Sequence, residues 1–237
     1  MKLAIMQPYF FPYLGYFSLI KHTDRFILLD TVQFIRHGWI ERNRVLKQNG
    51  GWLYIQVPVI KNEGRDTLIK NIIIDNSKPW KDKILAQLAH YKNIAPNYFL
   101  ILSLVKNLFE NEYGDIVNLN KTTLLAVCQY LGLNPDMQVF SQMGLKIEQP
   151  KESDDWALNI CKKLEDVNDY INPSGGLSFF QKYKYENAGI NLKFQIFEIT
   201  EYSQNRETFE PGLSIIDVMM FNSIEQIHEM LDNYIFK

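Results

Sequence analysis

Cysteine is scarce: Cys128 and Cys161 are the only two in 237 residues. Each sits in an apolar helical pattern, so the expectation is two buried thiols in a reducing compartment, not a disulfide framework. No stretch approaches the run of about 18 apolar residues that a membrane-spanning helix needs. The four histidines, His22, His37, His90 and His228, are scattered, with no cysteine or carboxylate at zinc-binding spacing, so no metal site is expected. Neither GxGxxG nor P-loop spacing occurs, and there is no GxSxG nucleophile elbow. Charge of one sign is also missing: 25 Lys and Arg stand against 27 Asp and Glu, for a net charge of -2. That balance gives no electrostatic basis for nucleic acid or an anionic membrane surface as partner, so any anion site must be local. Before Gln7-Pro8 the chain has one Lys and five apolar residues, without the apolar stretch and small-residue cleavage site of a secretion signal. A cytoplasmic location is expected.

What is present suits a globular fold. Hydrophobic residues make up 46% of the chain and charged residues 22%, enough to bury a core. The length fits one domain over residues 1–237. Lys2 to Met6 reads as a short buried strand ended by Gln7-Pro8. Tyr13 to His22 places Leu14, Phe17 and Ile20 on one helix face. Arg25 to Asp30 is a continuous apolar run of the kind found inside parallel sheets. The chain therefore opens as a βαβ unit whose working end is the loop after the first strand. Further strands are expected at Trp52 to Val59, Leu68 to Asp75, Met137 to Ser141, Val167 to Ile171 and Leu192 to Ile199, with an exposed polar connection from Lys61 to Thr67. Helical patterns dominate from Pro79 to Leu131 and again from Ile215 to Tyr234. The predicted architecture is α/β: a mostly parallel, Rossmann-like sheet with a helical insertion forming a lobe at about residues 78–133.

Two segments concentrate chemistry near the start. In the first, Pro8 and Pro12 bracket an aromatic loop that enters a helix, where backbone N–H groups favour an anion. Tyr9, Tyr13 and Tyr16 offer hydroxyls and flat faces for a base or sugar ring, and Gly15 permits close approach. Plain core packing is the competing reading of these aromatics. Gln7, a polar amide at a buried strand end, needs partners of its own. The second segment runs from Asp30, also at a strand end, to Arg44. Arg36, Arg42 and Arg44 place three cations within nine residues, and guanidinium forks match phosphate or carboxylate. Gln33, Trp39 and Asn43 lie among them. Gln7, Asp30 and His37 are the candidates for catalysis, with Asp30 or His37 as general base. A solvated charged turn is the bland alternative. Farther on, Ser174 and Gly175 form a turn that could nest an anion. Tyr202 and Gln204 follow another strand end. Ser214 reads as a helix N-cap, with Asp217 completing a capping-box-like pair.

The runs QPYFFPYLGYF, FILLD-TVQF, WIERNR and VPV, with YINPSGG, the Tyr202-x-Gln204 pair and PGLSIIDVMMFN, resemble the WbqC-like family of bacterial proteins over nearly the whole chain. Members of that family are typically found among genes for O-antigen and other surface polysaccharides. The resemblance implies a transferase that tailors a nucleotide-activated, amino-type sugar, for instance by acyl or aminoacyl transfer. Its partner would be a small anionic nucleotide-sugar. Two rival readings stand beside it. The strand, Pro-containing loop and Tyr13-Leu14-Gly15-Tyr16 are similar to the HxGH element of HUP-class adenylyl-transferring enzymes, with tyrosine replacing both histidines; that reading calls for ATP and Mg²⁺ as cofactors. The other is a non-catalytic nucleotide-sugar-binding or assembly protein.

Overall fold

The computed structural model describes residues 1–60 and 67–237; the polar connection expected at Lys61 to Thr67 lies, Thr67 apart, outside the described residues. The chain opens as the expected βαβ unit: β1 (Lys2–Met6), α1 (Leu14–Lys21) and β2 (Arg25–Leu28). β1 and β2 pair in parallel from Leu3 opposite Arg25 to Met6 opposite Leu28. An antiparallel ribbon follows, β3 (Arg42–Leu46) with β4 (Trp52–Gln56), and then the helices α2 (Trp80–Leu88), α3 (Tyr98–Glu110) and α4 (Ile116–Tyr130). The chain returns to the sheet with β5 (Asp136–Val139), α5 (Asp155–Leu164), β6 (Asp169–Pro173), α6 (Lys182–Glu186) and β7 (Asn191–Phe197). It closes with α7 (Ile215–Phe221), α8 (Ile224–Leu231) and β8 (Tyr234–Phe236).

The six-stranded sheet has the order β5-β2-β1-β6-β7-β8. All its pairings are parallel except that of β8 with β7. Counted along the sheet, this is the 3-2-1-4-5-6 order of doubly wound dinucleotide-binding folds. The first three strands run outward from β1 in one direction and the last three in the other. The order therefore reverses between β1 and β6, and the loops after those two strands flank the crevice where such sheets hold ligands.

Side-chain alternation divides the apolar residues between two cores. Ala4, Phe26 and Leu28 face the larger core, which includes residues of α1 to α4. Leu3, Ile5 and Ile27 face the smaller one, with Tyr170, Tyr185 and residues of α5. Cys128 belongs to the first and Cys161 to the second; both are free, buried thiols.

Two expectations need correction, and one strand goes beyond them. Leu68 to Asp75 is not a strand. It contains a single 3-10 turn, Ile69–Asn71, between isolated bridges to different partners. Ile69 and Lys70 donate to the carbonyls of Val32 and Asp30, whereas Ile74 donates to that of Gly114. Its β-branched residues satisfy burial without a continuous ladder, so composition alone mimics a strand. Conversely, Arg42 to Leu46 is a strand whose outward face carries the arginines. Finally, the Asp217 side chain does not join Ser214 in a capping box. Ser214 Oγ accepts from the Ile216 amide at 3.2 Å, while the Asp217 carboxylate accepts from tyrosines elsewhere. A true capping box joins Ser223 and Gln226 at the start of α8.

Candidate functional site

The loop after β1 is a braced structure. Phe10 and Phe11 are fully buried, and the Phe10 amide donates to the Trp39 carbonyl at 2.9 Å. Asn43 Nδ2 donates to Phe10 O at 3.1 Å. Buried Asn120 donates to the carbonyls of Pro8 and Ile40, each at 2.8 Å, and Ser214 Oγ donates to Phe11 O at 2.8 Å. The loop thus satisfies its backbone acceptors inside the protein, as a buried irregular segment must. Tyr16 is buried and donates to the Gln7 carbonyl at 2.8 Å; burial lifts its hydroxyl well above the usual tyrosine range. Tyr9 and Tyr13 are partly exposed and raised less, again chiefly by burial. The Tyr13 ring lies over Gly15, where a Cβ would meet it at 2.5 Å.

The strand ends part company beyond this point. Gln7, half-buried, begins the loop after β1, and the exposed Ser174 and Gly175 begin the loop after β6, the two loops that flank the crevice. Asp30 is buried and directed to the neighbouring strand's end. Its oxygens accept from the Ser141 amide at 3.0 Å and the Ser141 hydroxyl at 2.5 Å. Gln33 is exposed, with its backbone bridged to Leu68.

The arginine segment forms a different surface. Arg42 and Arg44 point from one face of the ribbon, in register with Gln56 and Tyr54, while Leu46 pairs with Trp52. Each guanidinium lies over an aromatic ring two cross-strand pairs farther on, on the same face. Arg42 stacks on Tyr54 at 3.8 Å from the ring centroid, and Arg44 lies 5.3 Å from Trp52 and 5.6 Å from Trp39. Arg44 also donates to the Gly212 carbonyl at 2.9 Å. Neither arginine has a carboxylate partner among the described residues, and the Nε of each is buried without an acceptor. Two ring-stacked guanidiniums without a counter-charge among the described residues therefore sit side by side on this face.

The ladder adjoins an open cleft of about 890 Å³, whose lining includes Arg36, His37, Glu41, Gln56, Lys78 and Lys83. His37 is exposed and adopts a left-handed φ of 59°. That turn brings its amide onto the Glu41 carboxylate and its Nδ1 to 4.0 Å from the same oxygen. Glu41 is only 3% exposed.

Of the sequence-derived candidates, Arg36 and His37 share this cleft, and Trp39, Arg42 and Arg44 form the ladder beside it. Asn43 braces the aromatic loop behind them. Gln7 and Asp30 do not line the cleft that holds His37. Tyr202 and Gln204 join a buried network beyond the ribbon. Tyr202 OH donates to Asp217 Oδ1 at 2.5 Å, Tyr91 OH to Oδ2 at 2.6 Å, and Gln204 Nε2 to Oδ1 at 3.1 Å. Burial raises the Asp217 carboxyl to about 6 despite these donors. Glu41, Tyr54, Gln56 and Lys83 escaped the sequence reading. Glu41 looked like one more charge in a solvated run, and the alternation of WLYIQ was the available signal for Tyr54 and Gln56. The acidic trio Glu152, Asp154 and Asp155 is occupied by the Lys184 ammonium, at 2.6, 3.0 and 2.9 Å. No helix among the described residues is long and apolar enough to cross a membrane.

The profile of the WbqC-like protein family matches residues 7–229. The chain belongs to that family. The family match takes in the aromatic loop, the cleft residues and the arginine ladder, and ends within α8. A relative from Mycobacterium tuberculosis, the uncharacterized protein Rv1507c, is 26% identical over 223 residues, which is 93% of each chain. No solved structure matches.

Proposed function

We propose that this WbqC-like protein is a cytoplasmic transferase that tailors a nucleotide-activated sugar during surface-polysaccharide synthesis, with the arginine ladder holding the anionic end of the substrate. The observation that carries the reading is the pair of aromatic-stacked guanidiniums, Arg42 and Arg44, with buried Nε donors and no carboxylate partner among the described residues. A cation left uncompensated beside a cleft favours an incoming phosphate, and flanking rings suit a base or sugar. His37, in the adjoining cleft, is the candidate general base.

Titration with UDP-sugars, followed by thermal shift and calorimetry, tests this. Arg42→Ala and Arg44→Ala should each weaken binding at least about tenfold, the scale of losing a charge-assisted contact. Lysine at either position should restore only part of the affinity, because it keeps the charge and loses the planar stack. Equal affinity in all variants would remove the ladder from the site.

A second reading has its own support in the 3-2-1-4-5-6 sheet order, which favours a nucleotide at the β1–β6 crevice near Gln7 and Ser174. There the protein would adenylate a carboxylic acid with ATP and Mg²⁺, releasing pyrophosphate. Pyrophosphate release that depends on an added carboxylic acid would support it, and ATP failing to bind at millimolar concentration would sink it.

A further inference from the structure

The cleft beside the ladder holds charge of both signs, arranged unevenly. Its unpaired anion is the buried one. The Glu41 side chain is 4% exposed, accepts the His37 amide on Oε1, and has only a 3.4 Å contact from Gln56 Nε2 on Oε2. A carboxylate offers about four acceptor sites, so capacity remains on both oxygens. No Lys or Arg lies within ion-pair distance of it among the described residues, and His37 Nδ1 stands at the 4.0 Å limit on a ring that is 70% exposed. The cations are on the outside. Arg36 and Lys83 are exposed and have no carboxylate partner among the described residues, whereas Lys78 is engaged by Asp75 at 3.0 Å. Pro58, Val59 and Trp80 add apolar lining.

A carboxylate withdrawn from water without a matching cation is unfavourable, and a ligand that brings the cation relieves it. The complementary ligand for such a cleft has an ammonium at its inner end and an anionic group at its outer end. We infer that Glu41 forms an ammonium-recognition subsite, pairing with a primary amine on an anionic, sugar-sized substrate. The inference deepens the reading above by assigning one residue to the recognition of a free amine, and it rests on that reading for the anionic end alone. The volume suits a monosaccharide phosphate, since small-molecule sites span about 300–1,000 Å³. His37, donating its amide to Glu41, positions the carboxylate.

Calorimetry on the full chain near neutral pH tests this with three probes: glucosamine 1-phosphate, glucose 1-phosphate and N-acetylglucosamine 1-phosphate. Only the first carries a free ammonium. It should bind at least about tenfold tighter than the other two, the discrimination expected when a site's polar partner goes unmatched. Glu41→Gln keeps an acceptor for the His37 amide and should bring the three affinities within about twofold of one another. Equal affinities in the wild type, or no binding of any probe at up to about 10 mM, overturn the inference. So does a preference that survives Glu41→Gln. The wild-type comparison decides the matter even if that variant fails to fold. UDP failing to bind would count against the nucleotide reading while leaving the amine preference intact.

Discussion

Asp217→Asn should flatten a pH dependence of stability that the wild-type protein shows between about pH 4 and 7. The carboxyl is fully buried, and desolvation raises it from 3.8 to about 6. In that window the folded state holds a proton the unfolded state has released. Stability from this group is therefore complete below about 3.8 and is lost as pH rises through about 6. The shift corresponds to about 3 kcal/mol between the two ends of the window. Asparagine cannot ionise, so the stability difference between wild type and variant should fall by that amount as pH rises. Urea unfolding at intervals of pH measures it. Asp155, which the Lys184 ammonium and backbone amides hold down at about 2, has the opposite sign and acts below this window. A difference that stays constant from pH 4 to 7 would mean that Asp217 ionises normally. Tyr91 and Tyr202 both donate to the same carboxylate, so Tyr202→Phe should move the midpoint upward by removing a donor that favours the charged form.

Phe10→Ala should be the most destabilising single change in the aromatic loop, costing about 3–5 kcal/mol. The ring is completely buried and meets Phe11 edge-on at 4.9 Å between centroids. Around it the backbone is fixed by Asn43, Trp39 and Ser214, so the vacated space cannot readily collapse. Tyr9→Phe, on a partly exposed ring of the same loop, should lie within about 0.5 kcal/mol of wild type. Chemical denaturation of both variants separates two roles of this loop. If Phe10→Ala proved mild while Tyr9→Phe proved severe, the loop would be held from its exposed side and the packing described here would be wrong.

The parallel sheet was legible because buried strands such as Lys2–Met6 and Arg25–Leu28 announce themselves as short apolar runs at strand spacing. The β3 strand was hidden because charged side chains fill its outward face, leaving no apolar alternation to read. The reverse error at Leu68 to Asp75 has the same root: isoleucines signal burial, and burial does not specify a ladder partner. The site was legible in part. Arg42 and Arg44, close in sequence, stay close on the ribbon, while Arg36 precedes the strand and lines the cleft. What local sequence could not carry is direction. Asp30 turns to Ser141, 111 residues away, and Glu41 turns inward to a wall that includes residues of β4 and the start of α2. Asp217 shows the limit most plainly, because its position beside Ser214 supports capping and only Tyr91 and Tyr202, brought in by tertiary packing, reveal its actual partners.

The placement of the two thiols gives this fold a pair of internal clocks. Cys128 and Cys161 lie on opposite sides of the sheet, and burial pushes both up to about 12, so neither offers much thiolate to an alkylating reagent while its layer is closed. Labelling at each cysteine therefore times the opening of one layer alone. Equal rates would describe a sheet that releases both coverings at once; unequal rates would rank the two layers by how often each exposes its interior, with no engineered probe.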